Sequence, residues 1–179
     1  MEDKQILELA SSFPPIVGTT PKILILGSMP GMESLKQQRY YAHPRNAFWP
    51  IITSFYGHSE KLEYSQRCEL LKQQQIAVWD VLKCCRRPGS LDQHIETESM
   101  IANDFVAFLQ SYPSIKQILF NGSKAEQVFK RYVVKQLEAT GISPLYLRLP
   151  STSPAHAAMN YETKQRLWYQ ALLGSIAPL

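Results

Sequence analysis

The sequence predicts an α/β fold, a three-layer sandwich in which a central four-stranded parallel sheet is flanked by helices. Three observations carry this expectation. Four short apolar segments, at residues 22–26, 76–82, 115–120 and 145–149, stop at Gly, Asn or Ser/Pro-rich loops. Near-continuous apolar runs of this length suit strands buried on both faces. The stretches between them carry apolar residues at helical spacing, and strands alternating with helices build parallel sheets. The chain of 179 residues is long enough to bury a full core in one domain. It contains no repeat, low-complexity tract or linker, so 1–179 reads as a single domain.

Taken in order, residues 1–12 read as a short helix ended by Phe13-Pro14-Pro15. KILIL at 22–26 is the first buried strand, stopping at Gly27. A loop with two glycines and two prolines follows through Arg45. Asn46 is placed to cap a helix carrying Phe48, Trp49, Ile51, Ile52 and Phe55. Residues 63–74 form an amphipathic helix and IAVWDVL at 76–82 the second strand. A basic loop spans 83–92, and a helix from Thr97 carries Met100, Ile101, Phe105, Phe108 and Leu109. The third strand, 115–120, stops at Asn121-Gly122; then come a helix over 123–138, the fourth strand at 145–149 and a final helix over 161–173.

The composition is that of an ordinary globular protein: 45% hydrophobic and 19% charged. No apolar run reaches the length of a membrane-spanning helix, so no membrane partner is expected. MEDKQILELA lacks the basic and apolar regions of a secretory signal. Three cysteines, Cys68, Cys84 and Cys85, give neither a disulfide framework nor a zinc site. They are one short of a four-thiolate iron–sulfur set. A reducing cytoplasm is the expected compartment. A net charge of +4 permits a nucleic-acid partner without requiring one.

In an open parallel sheet the ligand crevice lies beyond the carboxyl ends of the strands. That rule selects four segments. GSMPGMES at 27–34 makes a tight turn whose backbone N–H groups are available to an anion or a sugar; a plain strand-to-loop turn is the alternative. YYAHPRNAFW at 40–49 gathers two tyrosines, His43, Arg45 and Asn46, with Phe48 and Trp49 as core anchors. Tyr41, an aromatic in a Gly/Pro loop over the crevice, is the kind of platform on which a nucleobase stacks, and Asn46 is open as a functional group or a simple cap. FNGSKAE at 120–126 puts Asn121, donor and acceptor together, where it reads a base edge or closes a turn. LPSTSPAHA at 149–157 supplies Ser151, Thr152 and Ser153 as small donors for a phosphate or deoxyribose. His156 is either a crevice group or a helix cap. Lys83, Arg86 and Arg87 in the basic loop are candidate phosphate contacts, or simply solvated charges.

Together, LILGSMPGMESL, YYAHPRNAFW, FNGSKA and LPSTSPAHA, in this order, resemble the uracil-DNA glycosylase superfamily, most closely its hypoxanthine-DNA glycosylase branch. The resemblance runs from about Phe13 to the last helix. It implies a DNA glycosylase that excises a deaminated base, hypoxanthine first, in base-excision repair. It also implies Tyr41 as the stacking aromatic, Asn46 as the catalytic residue, and Asn121, Ser28 and Met29 around the base. Gly31, Ser34, His43, Ser151, Thr152, Ser153, His156, Lys83 and Arg86 fall to the DNA. Many members carry Asn or Asp where this chain has Met29, a side chain that cannot activate water, so ordinary uracil activity is not what the first motif supports.

The implied reaction is hydrolysis of the bond between the base nitrogen and C1′, through an oxocarbenium-like transition state. Asn46 is uncharged and would position water. The departing hypoxanthine would be held by Asn121, backbone N–H groups and His156. Flipping costs a few kcal/mol, less at a mispaired base. No lysine is singled out as an amine nucleophile, so the expected product is an intact abasic strand, formed without metal or cofactor. The expected partner is damaged double-stranded DNA, with single strands left open, and the expected state is a cytoplasmic, nucleoid-associated monomer. Two alternatives stand beside this reading: a mismatch-type uracil-DNA glycosylase and a nucleic-acid-binding module without catalysis. A small-molecule hydrolase lacks support, since neither a Gly-x-Ser-x-Gly elbow nor a metal-ligand cluster is present.

Overall fold

The computed structural model describes residues 9–58 and 61–176. Four strands form the parallel sheet: β2 (Ile23–Gly27), β3 (Ile76–Asp80), β6 (Gln117–Asn121) and β7 (Leu145–Leu149), in spatial order β3-β2-β6-β7. A second, three-stranded antiparallel sheet joins β1 (Leu9–Ser11), β4 (Leu82–Arg86) and β5 (Ile101–Ala102) in the order β1-β4-β5. The helices are α1 (Met32–Gln37), α2 (Phe48–Phe55), α3 (Tyr64–Gln73), α4 (Phe105–Ser111), α5 (Ser123–Tyr132), α6 (Val134–Thr140) and α7 (Tyr161–Ile176).

Side chains alternate across a strand, and here the alternation feeds two cores. Leu24, Leu26, Ala77, Ile118 and Phe120 face a cluster with Phe105, Phe108, Leu109, Val128, Phe129 and Leu137 of α4, α5 and α6. Ile23, Ile25, Ile76, Val78 and Leu119 face Phe48, Trp49, Ile51 and Ile52 of α2, Leu71 of α3, and Trp168 and Leu172 of α7. Both faces of β2 are therefore buried along its whole length. These two cores make the predicted three layers.

Four expectations change in detail. The proposed helix over 1–12 lies outside the described residues up to residue 8, and its end, Leu9–Ser11, is a strand paired antiparallel with Cys84, Cys85 and Arg86. Its apolar spacing fits either element, and the free edge of β4 decides for strand. The run 76–82 is broken at Val81, whose N–H donates to the Gly27 carbonyl (2.8 Å); the chain then leaves the parallel sheet as β4. Lys83 and Arg86 are thus exposed strand residues and not part of a loop. The helix expected from Thr97 begins only at Phe105, where the Asp104 carboxylate accepts from Ala107 N (3.0 Å); two 3₁₀ turns and β5 precede it. Finally, the helix over 123–138 is two helices broken at Val133, φ −117°. The loop after β2 also holds the short helix α1, stopped by Gln38 in the left-handed region at φ 53°.

Two packing contacts position the strand-end loops. Trp168 is fully buried, meets Phe48 edge-on at 6.1 Å and donates its indole N–H to the Pro150 carbonyl (3.0 Å). Gly27, the last residue of β2, lies in register with Asp80. A Cβ there would stand 2.5 Å from Asp80 Oδ1 and 3.3 Å from the Tyr41 hydroxyl oxygen. Trp168→Ala is expected to cost about 3–5 kcal/mol, read from urea denaturation. Gly27→Ala overpacks a wall that cannot retreat into solvent and is expected to cost about 1–3 kcal/mol by the same measurement.

Candidate active site at the carboxyl ends of the strands

The carboxyl ends of all four parallel strands open into one crevice of about 620 Å³, a size common for binding sites of small organic groups. It lies where the strand order reverses about β2, with β3 on one side and β6 on the other. Ser28, Met29, Gly31, Ser34, Tyr41, His43, Asn46, Asn121, Ser151, Thr152, Ser153 and His156 all line it. Lys83 and Arg86 do not; they stand on β4, away from the crevice wall.

The loop after β2 is held by the segment after β4. Arg87, which the sequence offered as a phosphate contact, is buried. It donates to the carbonyls of Pro30 and, at 2.9 Å, Gly89. Ser90 Oγ accepts from Met32 N (2.9 Å), and Ser28 Oγ donates to both carboxylate oxygens of Asp92 (2.7 and 2.8 Å). The segment after β4 is thus a brace for the GSMPG turn. Met29 is buried and packs in the core as well as lining the crevice. Ser34 is committed too: its Oγ accepts from Ala42 N (3.1 Å), pinning the residue next to Tyr41.

Tyr41 has φ 53°, a left-handed conformation rarely adopted by a bulky residue. That backbone turns its ring onto Phe48, with centroids 4.0 Å apart and planes 28° from parallel. One ring face is filled by Phe48, so a base can stack only on the other. Its hydroxyl is buried without a hydrogen-bond partner, and burial raises its pKa far above the usual tyrosine range.

Asn46 accepts from Phe48 N through Oδ1 (3.0 Å), but it stands one residue before the N-cap, Ala47, and is not the cap its position suggested. Among the described residues its Nδ2 has no partner and remains available to a ligand. His43 Nδ1 accepts from Arg45 N (3.1 Å). Asn121 is used differently from the base-reading expectation. Its Oδ1 accepts from Thr152 N (2.9 Å) and its Nδ2 donates to Thr152 Oγ1 (2.8 Å), so both ends of the carboxamide tie β6 to the loop after β7. Gly122, at φ 96°, lets the two segments touch: a Cβ there would meet Ser151 Cβ at 3.0 Å. Ser151 and Ser153 accept from Ser153 N and Ala155 N (both 3.2 Å), shaping the loop that ends at His156. Lys164, itself buried, donates to the His156 carbonyl (2.8 Å).

Three carboxyl groups, missed in the sequence, line the wall: Glu33 on α1, Asp80 at the end of β3 and Asp92. Asp80 is 3% exposed, and its Oδ2 has no partner. Burial first, then the nearby Asp92, push its pKa up to about 8, with Arg87 acting the other way. Asp92 is likewise shifted upward by burial, opposed by the Ser28 hydrogen bond and Arg87. One signal in the sequence pointed here: a single acid closing an otherwise apolar strand, IAVWD.

Comparison with known proteins gives the same family. Residues 14–174 match the family model of the uracil DNA glycosylase superfamily. A hypoxanthine DNA glycosylase of Methanosarcina barkeri is 40% identical over 114 residues, 63% of this chain and 71% of that protein. One from Methanosarcina acetivorans is 38% identical over the same shares. The solution NMR structure of a uracil DNA glycosylase candidate from Methanosarcina acetivorans superposes with a TM-score of 0.78 at 30% identity, covering 95% of this chain and all of that one. The fold, the crevice and nearly the full length of the match agree: the chain belongs to the uracil DNA glycosylase superfamily.

Proposed function

We propose that this protein is a monofunctional DNA glycosylase that flips hypoxanthine out of double-stranded DNA and hydrolyses its bond to C1′, as a monomer acting on the nucleoid. The observation that carries the reading is the pairing of Tyr41, braced on one face by Phe48, with Asn46 in one crevice at the strand ends. The first is a stacking platform for an extruded base. The second offers a free amide beside it. The names of the two Methanosarcina relatives support hypoxanthine as the base.

The chemistry follows from what the walls hold. Cleavage leaves positive charge on the sugar and negative charge on the departing base. Asn46 is neutral, and with Oδ1 fixed by Phe48 N its orientation is set before substrate arrives. A side chain so fixed aims a water at C1′ without reorganising. Met29 offers no hydrogen bond where other superfamily members carry Asn or Asp, so the water is served from Asn46. No lysine is among the lining residues, which supports a simple abasic product over a covalent imine with the sugar.

The test is strand scission. End-labelled duplexes carrying one deoxyinosine, deoxyuridine or undamaged base are incubated with protein in EDTA and heated in alkali. Cleavage is expected at deoxyinosine, only after alkali, and Asn46→Ala is expected to lower its rate by about 10²–10³. Cleavage mainly at deoxyuridine would transfer the reading to a uracil-type enzyme. Binding without cleavage at any base would leave a binding module.

A further inference from the structure

The described residues leave four buried side-chain polar atoms without a hydrogen-bond partner: the hydroxyls of Tyr41 and Tyr56, Asp80 Oδ2 and Arg87 Nη1. Arg87 Nη1 has the Asp92 carboxylate 4.0 Å away, and Tyr56 is outside the crevice. The other two belong to side chains that lie close together in the crevice wall. Asp80 Oδ1 and the Tyr41 oxygen lie 2.5 and 3.3 Å from the point a Gly27 Cβ would occupy. Leaving such a group unsatisfied in the folded state costs stability. Nothing in the fold requires a carboxyl there, because β3 is held by its backbone ladder and the Asp80 carbonyl takes Asn103 Nδ2 (2.8 Å). A carboxyl group with an unpartnered oxygen, on a residue that lines the crevice, is reserved for what enters it.

The geometry also says which part of a nucleotide meets it. The carboxyl stands at the hydroxyl end of the Tyr41 ring. A base stacked on the open face of that ring therefore brings its edge to Asp80. We infer that Asp80 is a general acid, a further catalytic residue that gives its carboxyl proton to the base as the base departs. This rests on the excision reading proposed above.

In the step, the C1′–N9 bond breaks and its electron pair passes into the purine. The Asp80 proton moves to an acceptor on the purine edge, N7 or O6, so hypoxanthine leaves neutral. The water oxygen bonds to C1′ and releases a proton to solvent, and Asp80 takes one back. The sum is deoxyinosine plus water giving an abasic site plus hypoxanthine.

The charge state suits the role. The ionisable groups facing the carboxyl are Tyr40 and Tyr41 from the loop after α1, Asp92, and Arg87. Three are potential anions, and only Arg87 favours ionisation. Burial first and then Asp92, against Arg87, bring Asp80 to about 8, so near neutral pH the proton is present and transferable. Because the pKa is raised, the competent form exists below it and is lost as pH climbs through it.

The experiment measures single-turnover excision from a deoxyinosine duplex between pH 6 and 9.5, for the wild type and Asp80→Asn. Duplex affinity and melting temperature are recorded for both. The wild-type rate constant is expected to be level below neutrality and to fall about tenfold per pH unit above 8. Asp80→Asn keeps the shape and hydrogen-bonding capacity of the side chain but has no transferable proton. It is expected to be about 10²–10³ slower at pH 7, to bind the duplex equally, and to lack the alkaline fall that the wild type owes to Asp80. Ionisation of the base itself is common to both proteins, so the difference between their profiles isolates the side chain. A variant within threefold of wild type at pH 7, or one with the same alkaline limb, would overturn the inference. A wild-type rate constant that stays level to pH 9.5 would overturn the inference even if the variant melts. A wild type inactive on deoxyinosine at every pH overturns the substrate reading, and the same pair on a deoxyuridine duplex then judges Asp80 alone.

Discussion

Thr152 is 1% exposed and spends every polar atom on other segments. Its N–H and hydroxyl oxygen meet the two ends of the Asn121 carboxamide, and its carbonyl accepts from Ala47 N at 3.0 Å. Three strand-end segments are joined at that residue: the end of β6, the loop after β7 and the start of α2. Because Asn46 precedes Ala47, the position of its amide over the crevice is set through Thr152. The indole of Trp168 fixes the same loop two residues earlier by holding the Pro150 carbonyl. A crevice has to keep polar backbone near its walls without collapsing onto it. Here the loops satisfy one another, and the space stays clear.

The opposite wall solves the same problem with charge. The GSMPG turn has few side chains able to hold it, so Arg87, Ser90 and Asp92 reach back from the segment after β4. Arg87 is costly to bury, and its cost is offset by two carbonyls and a nearby carboxylate. Bracing from one side by an amide–threonine pair and from the other by a guanidinium leaves Tyr41 between them. Its left-handed backbone is maintained by Ser34 and by stacking on Phe48. Strain of this kind persists where the surroundings over-determine it.

The parallel strands were legible because burial on both faces leaves no ambiguity of period: ILIL at 23–26 can hardly be anything else. Elements decided by partners were not. Leu9–Ser11 carries helix-like spacing and becomes a strand only because β4 presents an edge. LKCCR reads as a basic loop until its pairing with β1 and β5 is known. In the site, most residues that the motifs singled out meet around one crevice, yet residue type alone did not tell a side chain that faces the open space from one that ties loops. Asn121 and Arg87 looked like ligand contacts and are braces. Asp80 looked like an interruption in a strand, and its setting emerges only when Gly27 and Tyr41 are brought against it in space.

Asp80 and Asp92 in the wall of a site for a polyanion look like an electrostatic contradiction, and the resolution lies in their environments. Asp92 is compensated locally, by the Ser28 hydroxyl and by Arg87. Asp80 has no such donor and is neutral by burial. DNA in the crevice mouth brings phosphate charge and removes water. Both effects disfavour a carboxylate further, so binding tightens the hold on the proton up to the moment the base becomes the stronger acceptor. The same negative field that would repel an ionised acid therefore preserves a neutral one. A carboxamide at this position would also escape repulsion, but it has no proton to lose. An acid retained at this cost, beside a chain that lacks the usual Asn or Asp in its first loop, is the arrangement expected when help for the leaving group takes over work that water activation does elsewhere in the superfamily.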